Sequence, residues 1–215
     1  HSRGGYAALG GAGAMALAGG VPPGRFGAQG MQEAVPAGEG AMAALLGLEV
    51  DAVREACAEA AQGEVVEAAN LNAPGQIVVA GARAAVERAI EIAKGRGAKR
   101  AMLLPVSAPF HCALMKPAAD RLAERLRDVA LVKPNIAVIN NVDVAIEDDP
   151  ERIRDALVRQ ASSPVRWIEL IQAIAGRGTA HIIECGPGKV LAGMTKRIVK
   201  EVGAGSAHDA ASLEQ

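Results

Sequence analysis

Apolar positions along the chain follow two rhythms. From 50 to 61, Val53, Ala56, Cys57 and Ala60 recur at the three-and-four spacing of one helix face, while Asp51, Arg54, Glu55 and Glu59 take the other faces. The rhythm returns in Ala85, Val86, Ala89, Ile90 and Ala93, predicting a helix over 82–94 that Gly95 and Gly97 stop. Around these helices lie short, continuous apolar runs at 41–48, 65–71, 76–80 and 101–106, each of strand length. Asn72-Ala73-Pro74-Gly75 is a turn between the second and third runs, so the third returns along the second. The resulting β-α-β-β-α-β order over 38–106 is that of a ferredoxin-like unit.

Downstream, Ala118, Leu122, Ala123 and Leu126 predict a helix over 117–128, and Ile136 to Ile139 predict a strand running into Asn140-Asn141. Helices follow at 151–160, where Pro150 suits the first turn, and at 167–175. His181 to Cys185 reads as a strand, which Gly186-Pro187-Gly188 turns into a helix from Lys189. That glycine-proline-glycine step is read as a turn rather than a phosphate loop. Residues 203–215 are small and polar and are expected to fray, with 206–215 a disordered tail. Upstream, Tyr6-Ala7-Ala8-Leu9 is helix-like. Pro22-Pro23 and the five glycines from 19 to 30 oppose a helix by about 3 kcal/mol per interior proline and 1 per glycine. A helix over that stretch is either broken or altered in sequence. No internal repeat is visible.

Composition narrows the picture. The 215 residues suffice for one large domain or two small ones. Half are hydrophobic but only 2% aromatic, so the core must be aliphatic. A net charge of −1 gives no reason to expect nucleic acid or an anionic membrane as partner. No run has membrane-spanning length, and no signal-peptide pattern opens the chain. Cys57, Cys112 and Cys185 are odd in number and lack metal-ligand spacing, so they are expected as reduced thiols in a cytoplasmic protein.

Candidate chemistry centres on Met102 to Met115. An apolar run is broken by Pro105 and Pro109 and then gives way to a helix, leaving His111 at a strand-to-helix junction. Imidazole is suited to proton transfer near neutrality, although a lone loop histidine is more often a hydrogen-bonded structural residue. At the start of the chain, Ser2-Arg3-Gly4 matches the second half of a G-x-S-x-G nucleophile elbow. By itself that match carries almost nothing.

Together with the intervening motifs, these pieces resemble the malonyl-CoA:acyl carrier protein transacylase family along nearly the whole chain. The resemblance rests on His1-Ser2-x-Gly4-x-Tyr6-Ala7-Ala8-Leu9, Met31 to Pro36, Asn70 to Gln76 and Pro109 to Met115. It continues through Asn140-Asn141-Val142-Asp143, Leu157 to Gln160 and Glu184 to Leu191. The resemblance implies an α/β-hydrolase-like large domain over 1–37 and 107–205, with the ferredoxin-like unit over 38–106 as an insert. It also implies that the chain is N-terminally truncated, entering the elbow motif midway.

By the same resemblance, Ser2 is the nucleophile, His111 the base, and the imidazole is oriented by a backbone carbonyl near a glutamine, matched here by Gln160. Arg3 supplies an oxyanion-hole N–H from the backbone. The family's carboxylate-binding arginine falls on Gly27, and Arg25 is the nearby candidate to replace it. Phe110, beside the base, is a candidate to restrict branched acyl groups or simply to pack, and Asn70 and Asn72 are candidates to line the cleft. No metal or redox cofactor is implied. A coenzyme A thioester and a phosphopantetheine thiol are the substrates, malonyl-CoA and acyl carrier protein the partners, and a monomer the expected state. A thioester hydrolase on the same fold, and a non-catalytic chain that at most binds carrier protein, are the alternatives.

Overall fold

Residues 4–16, 35–36, 38–106, 108–209 and 211–213 are described by the structure, a computed structural model. Its larger sheet has four strands: β1 (Gly40–Leu46), β2 (Val66–Ala73), β3 (Gln76–Ala82) and β4 (Arg100–Leu103). They lie in the order β2-β3-β1-β4, each antiparallel to its neighbour. Helices α2 (Val50–Ala61) and α3 (Arg83–Gly95) cover one face, burying the residues that the sequence rhythm assigns to them. Ala43, Leu45, Ile77 and Val79 point to that face and pack with Val53, Cys57, Val86 and Ile90. Met42, Val78 and Ala80, the alternate residues, point the other way and pack against Cys112 and Phe110. Both faces are therefore covered, and the strands read as unbroken apolar runs instead of alternating ones.

The ends of these elements have local causes. Gln62 (φ 46°) and Gly63 (φ 91°) turn the chain out of α2, and the Arg88 guanidinium donates to the carbonyls of Ala60 and Ala61 at that exposed helix end. The hairpin turn is tighter than expected: Asn72 and Ala73 belong to β2, leaving Pro74-Gly75 as the loop, with Gly75 at φ 67°. β4 stops at Leu103, short of the expected 106.

The remaining elements are α1 (Gly4–Gly11), α4 (Lys116–Leu126), α5 (Pro150–Arg159), α6 (Trp167–Ala175), β5 (His181–Cys185), α7 (Val190–Ile198) and β6 (Gly203–Ala207). Leu9, Leu122, Leu126, Ile153 and Leu157 join α1, α4 and α5 in an aliphatic core. Pro150 occupies the first turn of α5, where Asp149 caps by accepting the Glu151 N–H at 2.8 Å.

Two expectations are corrected. Residues 136–139 form no strand, because the backbone around them is engaged elsewhere. Val132 N and Asn135 N donate to Ala14 O and Ala12 O, and Ile139 makes a single bridge to Ile146. Gly203–Ala207 does not fray. It pairs in parallel with β5, and beyond it the Ser212 hydroxyl accepts the N–H groups of His208 and Asp209. Small residues there lie flat beside β5, with the ideal Cβ position of Gly205 3.2 Å from the Ile183 side chain.

Candidate active site

The second face of the large sheet carries the candidate base. Leu104 N donates to Met42 O at 2.8 Å, leading the chain from β4 onto that face. Pro109 is seated on Gly40, where any Cβ would come within 2.4 Å of the proline ring. Cys112 Sγ donates to Pro109 O at 3.1 Å, and the Glu67 carboxylate of β2 accepts Ala113 N–H at 2.9 Å. A short 3₁₀ turn, Ala113–Met115, then opens α4.

Held at both sides, His111 adopts φ 62°, a left-handed backbone uncommon for any residue but glycine. Such conformations persist where surrounding contacts over-determine them, and they cluster at functional sites. His111 is 6% exposed, and its Nδ1 lies 3.0 Å from Gln160 O at the C-terminal end of α5. A carbonyl can only accept, so Nδ1 carries the proton and the Nε2 lone pair is left for chemistry. Burial lowers the imidazole pKa below its ordinary value, while the Gln160 and Ser163 carbonyls push it back up. The result is an imidazole that is neutral at physiological pH, with a built-in acceptor for its imidazolium form.

Gln160 is buried too, and Asn141 Nδ2 lies 3.3 Å from its Oε1. The same Oε1 is 3.6 Å from the position of a Cβ on Gly5, so the first turn of α1 abuts the wall behind His111. Beyond Gln160 the chain runs to Val165, which bridges β2. Leu71 N donates to Val165 O at 3.0 Å and Val165 N to Ala69 O at 2.9 Å.

Asn70 and Asn72 are buried beside that bridge, at two bulges of β2. The first bulge pairs Asn70 with Val78, setting Asn70 on the His111 face of the sheet; such irregularities re-aim side chains. Phe110 packs against that face with Met42 and Val78. Ser2, Arg3, Arg25 and Gly27 lie outside the described residues.

A cavity of about 320 Å³ lies on the other side of Gln160, lined among others by Gly5, Ile139, Asn141, Trp167 and Cys185. It does not reach His111. The turn at Gly186-Pro187-Gly188 leads into α7, where Ala192 N–H donates to the Glu184 carboxylate at 2.8 Å; this donor is met from within the chain. Among the described residues, no three His, Cys, Asp or Glu side chains are grouped to hold a metal, and no helix is long and apolar enough to cross a membrane.

Three supporting residues were not singled out from the sequence. Gly40 gave no local signal of a role, and Asn141 stood in a motif without one of its own. Glu67, a lone carboxylate within the apolar run of β2, did offer one.

A family model described as the acyl transferase domain matches residues 1–214. The malonyl CoA-acyl carrier protein transacylase of Salmonella typhimurium is 50% identical over 213 residues, covering 99% of this chain and 69% of that protein. The chain belongs to this family of acyl transferases. The Haemophilus influenzae transacylase is 51% identical, over 99% of this acyl transferase and 68% of its relative. In three dimensions it is similar to an acyl carrier protein S-malonyltransferase from Vibrio cholerae, with a TM-score of 0.98 and 54% identity over 100% of this chain and 70% of that one. A malonyl-transacylase solved in complex with a type II PKS acyl-carrier protein superposes with a TM-score of 0.97 at 48% identity, over 100% of this chain and 69% of that one.

Proposed function

We propose that this acyl transferase moves a malonyl group from malonyl-CoA to the phosphopantetheine thiol of acyl carrier protein, in fatty-acid biosynthesis, by way of an ester on Ser2. The observation that carries the reading is the buried His111 ring, with Nδ1 held by the Gln160 carbonyl.

In the first half-reaction Nε2 takes the Ser2 hydroxyl proton as Oγ attacks the thioester carbonyl. The C–S bond then breaks, and the departing coenzyme A sulfur takes that proton from Nε2. In the second, Nε2 deprotonates the phosphopantetheine thiol, whose sulfur attacks the ester carbon, and the proton returns to Ser2 Oγ as the C–O bond breaks. The Gln160 carbonyl accepts the Nδ1–H throughout and steadies the transient imidazolium, so no acidic third residue is needed. The Arg3 N–H is assigned to the oxyanion and Arg25 to the malonyl carboxylate. Asn70 and Asn72 are assigned to the cleft wall. The first turn of α1 begins two residues after Ser2, and a Cβ on Gly5 in that turn would lie 3.6 Å from Gln160 Oε1, which supports pairing Ser2 with His111.

In architectural terms, residues 38–106 are read as a ferredoxin-like insert, for which the β2-β3-β1-β4 order with two helices on one face is the support. The remainder is read as an α/β-hydrolase-like domain over 1–37 and 107–205. The chain is read as a monomer, and a cytoplasmic location accords with three free cysteines.

Steady-state transfer from malonyl-CoA to acyl carrier protein tests the assignment. His111→Ala should lower kcat by about 10²–10⁴-fold, the usual range for a general base. A variant retaining wild-type turnover would remove His111 from the mechanism, and release of free malonate instead of carrier-bound malonyl would identify a hydrolase.

A further inference from the structure

Asn140-Asn141-Val142-Asp143 forms a brace around the end of α5. Asn140 Oδ1 accepts the N–H groups of Val142 (3.0 Å) and Asp143 (2.7 Å), and Val144 completes the tight turn at φ 57°. From this rigid loop, contacts reach two consecutive residues of the helix end. Asp143 binds the Arg159 guanidinium through both oxygens, at 2.8 and 2.7 Å, and Asn141 Nδ2 reaches Gln160 Oε1 at 3.3 Å. On its far side the loop is fixed to the start of α6, since Arg166 Nη1 donates to Val142 O at 3.0 Å.

Asn141 is the buried member of this brace, 5% exposed, and its Oδ1 has no hydrogen-bond partner among the described residues. A buried amide with an unmatched acceptor destabilises a fold relative to an apolar side chain of similar size. Packing therefore does not account for an asparagine here, whereas its N–H on Gln160 does. Gln160 in turn presents the carbonyl that fixes the tautomer and tilt of His111.

We propose that Asn141 is a positioning residue for His111, acting through Gln160. It clamps the Gln160 side chain so that the carbonyl of the same residue stays in line with Nδ1–H. The proposal rests on the reading of His111 as the base.

The test uses the full chain with ¹⁵N-labelled histidine, His111→Ala identifying the ring signal. Asn141→Leu keeps the volume and removes the donor; Asn141→Ala serves as a second variant that avoids crowding. Both should shift the His111 ring from a single Nδ1–H tautomer to a mixture. Both should lower kcat about 10–100-fold, the scale of a misplaced catalytic group, with KM for malonyl-CoA little changed. Gln160→Ala should give the same loss, and the Asn141→Leu/Gln160→Ala double variant no further loss, because the two act in one chain of contacts. A wild-type ring spectrum and kcat in both Asn141 variants would overturn the proposal, as would strictly additive losses. If His111→Ala turns over normally, the reading of His111 falls, while the ring spectra still decide whether Asn141 positions it.

Discussion

His111 Nδ1 and the carbonyl oxygen of Gln160 lie 3.0 Å apart across 49 residues of sequence. The first sits on a strained loop laid over the antiparallel sheet, the second at the end of α5. The contact thus joins the sheet-and-helix unit to the helices around α1. It also commits Nδ1 of the ring to a structural hydrogen bond, which fixes the tautomer.

That geometry sets a pH dependence. The His111 pKa lies below the ordinary 6.5, chiefly through burial, so the neutral base persists to lower pH than a free imidazole would. The acid limb of kcat/KM should have its midpoint below 6.5. Stability follows the same linkage. Below 6.5 the unfolded chain takes up a proton before the folded one does, so this contribution is complete above 6.5 and is lost as pH falls toward the folded-state value. Denaturant midpoints measured against pH in wild type and His111→Ala check it: the variant should lose less stability on acidification.

Gly40→Ala should damage the site from a distance. The new Cβ would meet the rigid, fully buried Pro109 ring at 2.4 Å, two residues before His111. Overpacking of this kind costs about 1–3 kcal/mol, and the displaced loop should draw His111 away from Gln160. Urea denaturation and kcat should both fall. Unchanged stability and turnover would mean that Pro109 moves freely.

The thiols should divide by burial. Cys57 and Cys112 are buried, and their pKa values are pushed up to about 12 by desolvation, whereas Cys185 is exposed. An alkylating thiol reagent at pH 8 should label Cys185 rapidly in the native protein and reach Cys57 and Cys112 only on unfolding. Mass mapping of the labelled peptides gives the order directly, and early labelling of Cys112 would show the His111 loop to be open.

Much of this fold was legible in the sequence, and the exceptions have physical causes. Val53, Ala56, Cys57 and Ala60 mark a helix because one face is buried and the rest is wet. The strands β1 and β3 were harder to type from pattern alone. With both faces covered, their period of two disappears and only their length and flanking turns remain. β6 was missed since Gly203-Ala204-Gly205-Ser206-Ala207 has no strand propensity of its own; its partner strand β5 imposes the conformation. Ile136 to Ile139 had the propensity without the ladder. At the site, His111 was visible as a residue type at a junction. Gln160 was not visible in the same way, because it acts on the ring through a backbone carbonyl, a group every residue carries. Family resemblance alone pointed to it. Asn141 stood in a motif whose purpose only the distances reveal.

If His111, held by Gln160, activates Ser2 as a covalent acyl carrier, the acyl-enzyme accumulates when no carrier protein is present to accept the acyl group. Intact-mass spectrometry of the full chain after brief exposure to malonyl-CoA, without carrier protein, tests it most directly. One malonyl adduct mapping to Ser2 is expected, absent in Ser2→Ala and strongly suppressed in His111→Ala. Undiminished acylation of Ser2→Ala would contradict it.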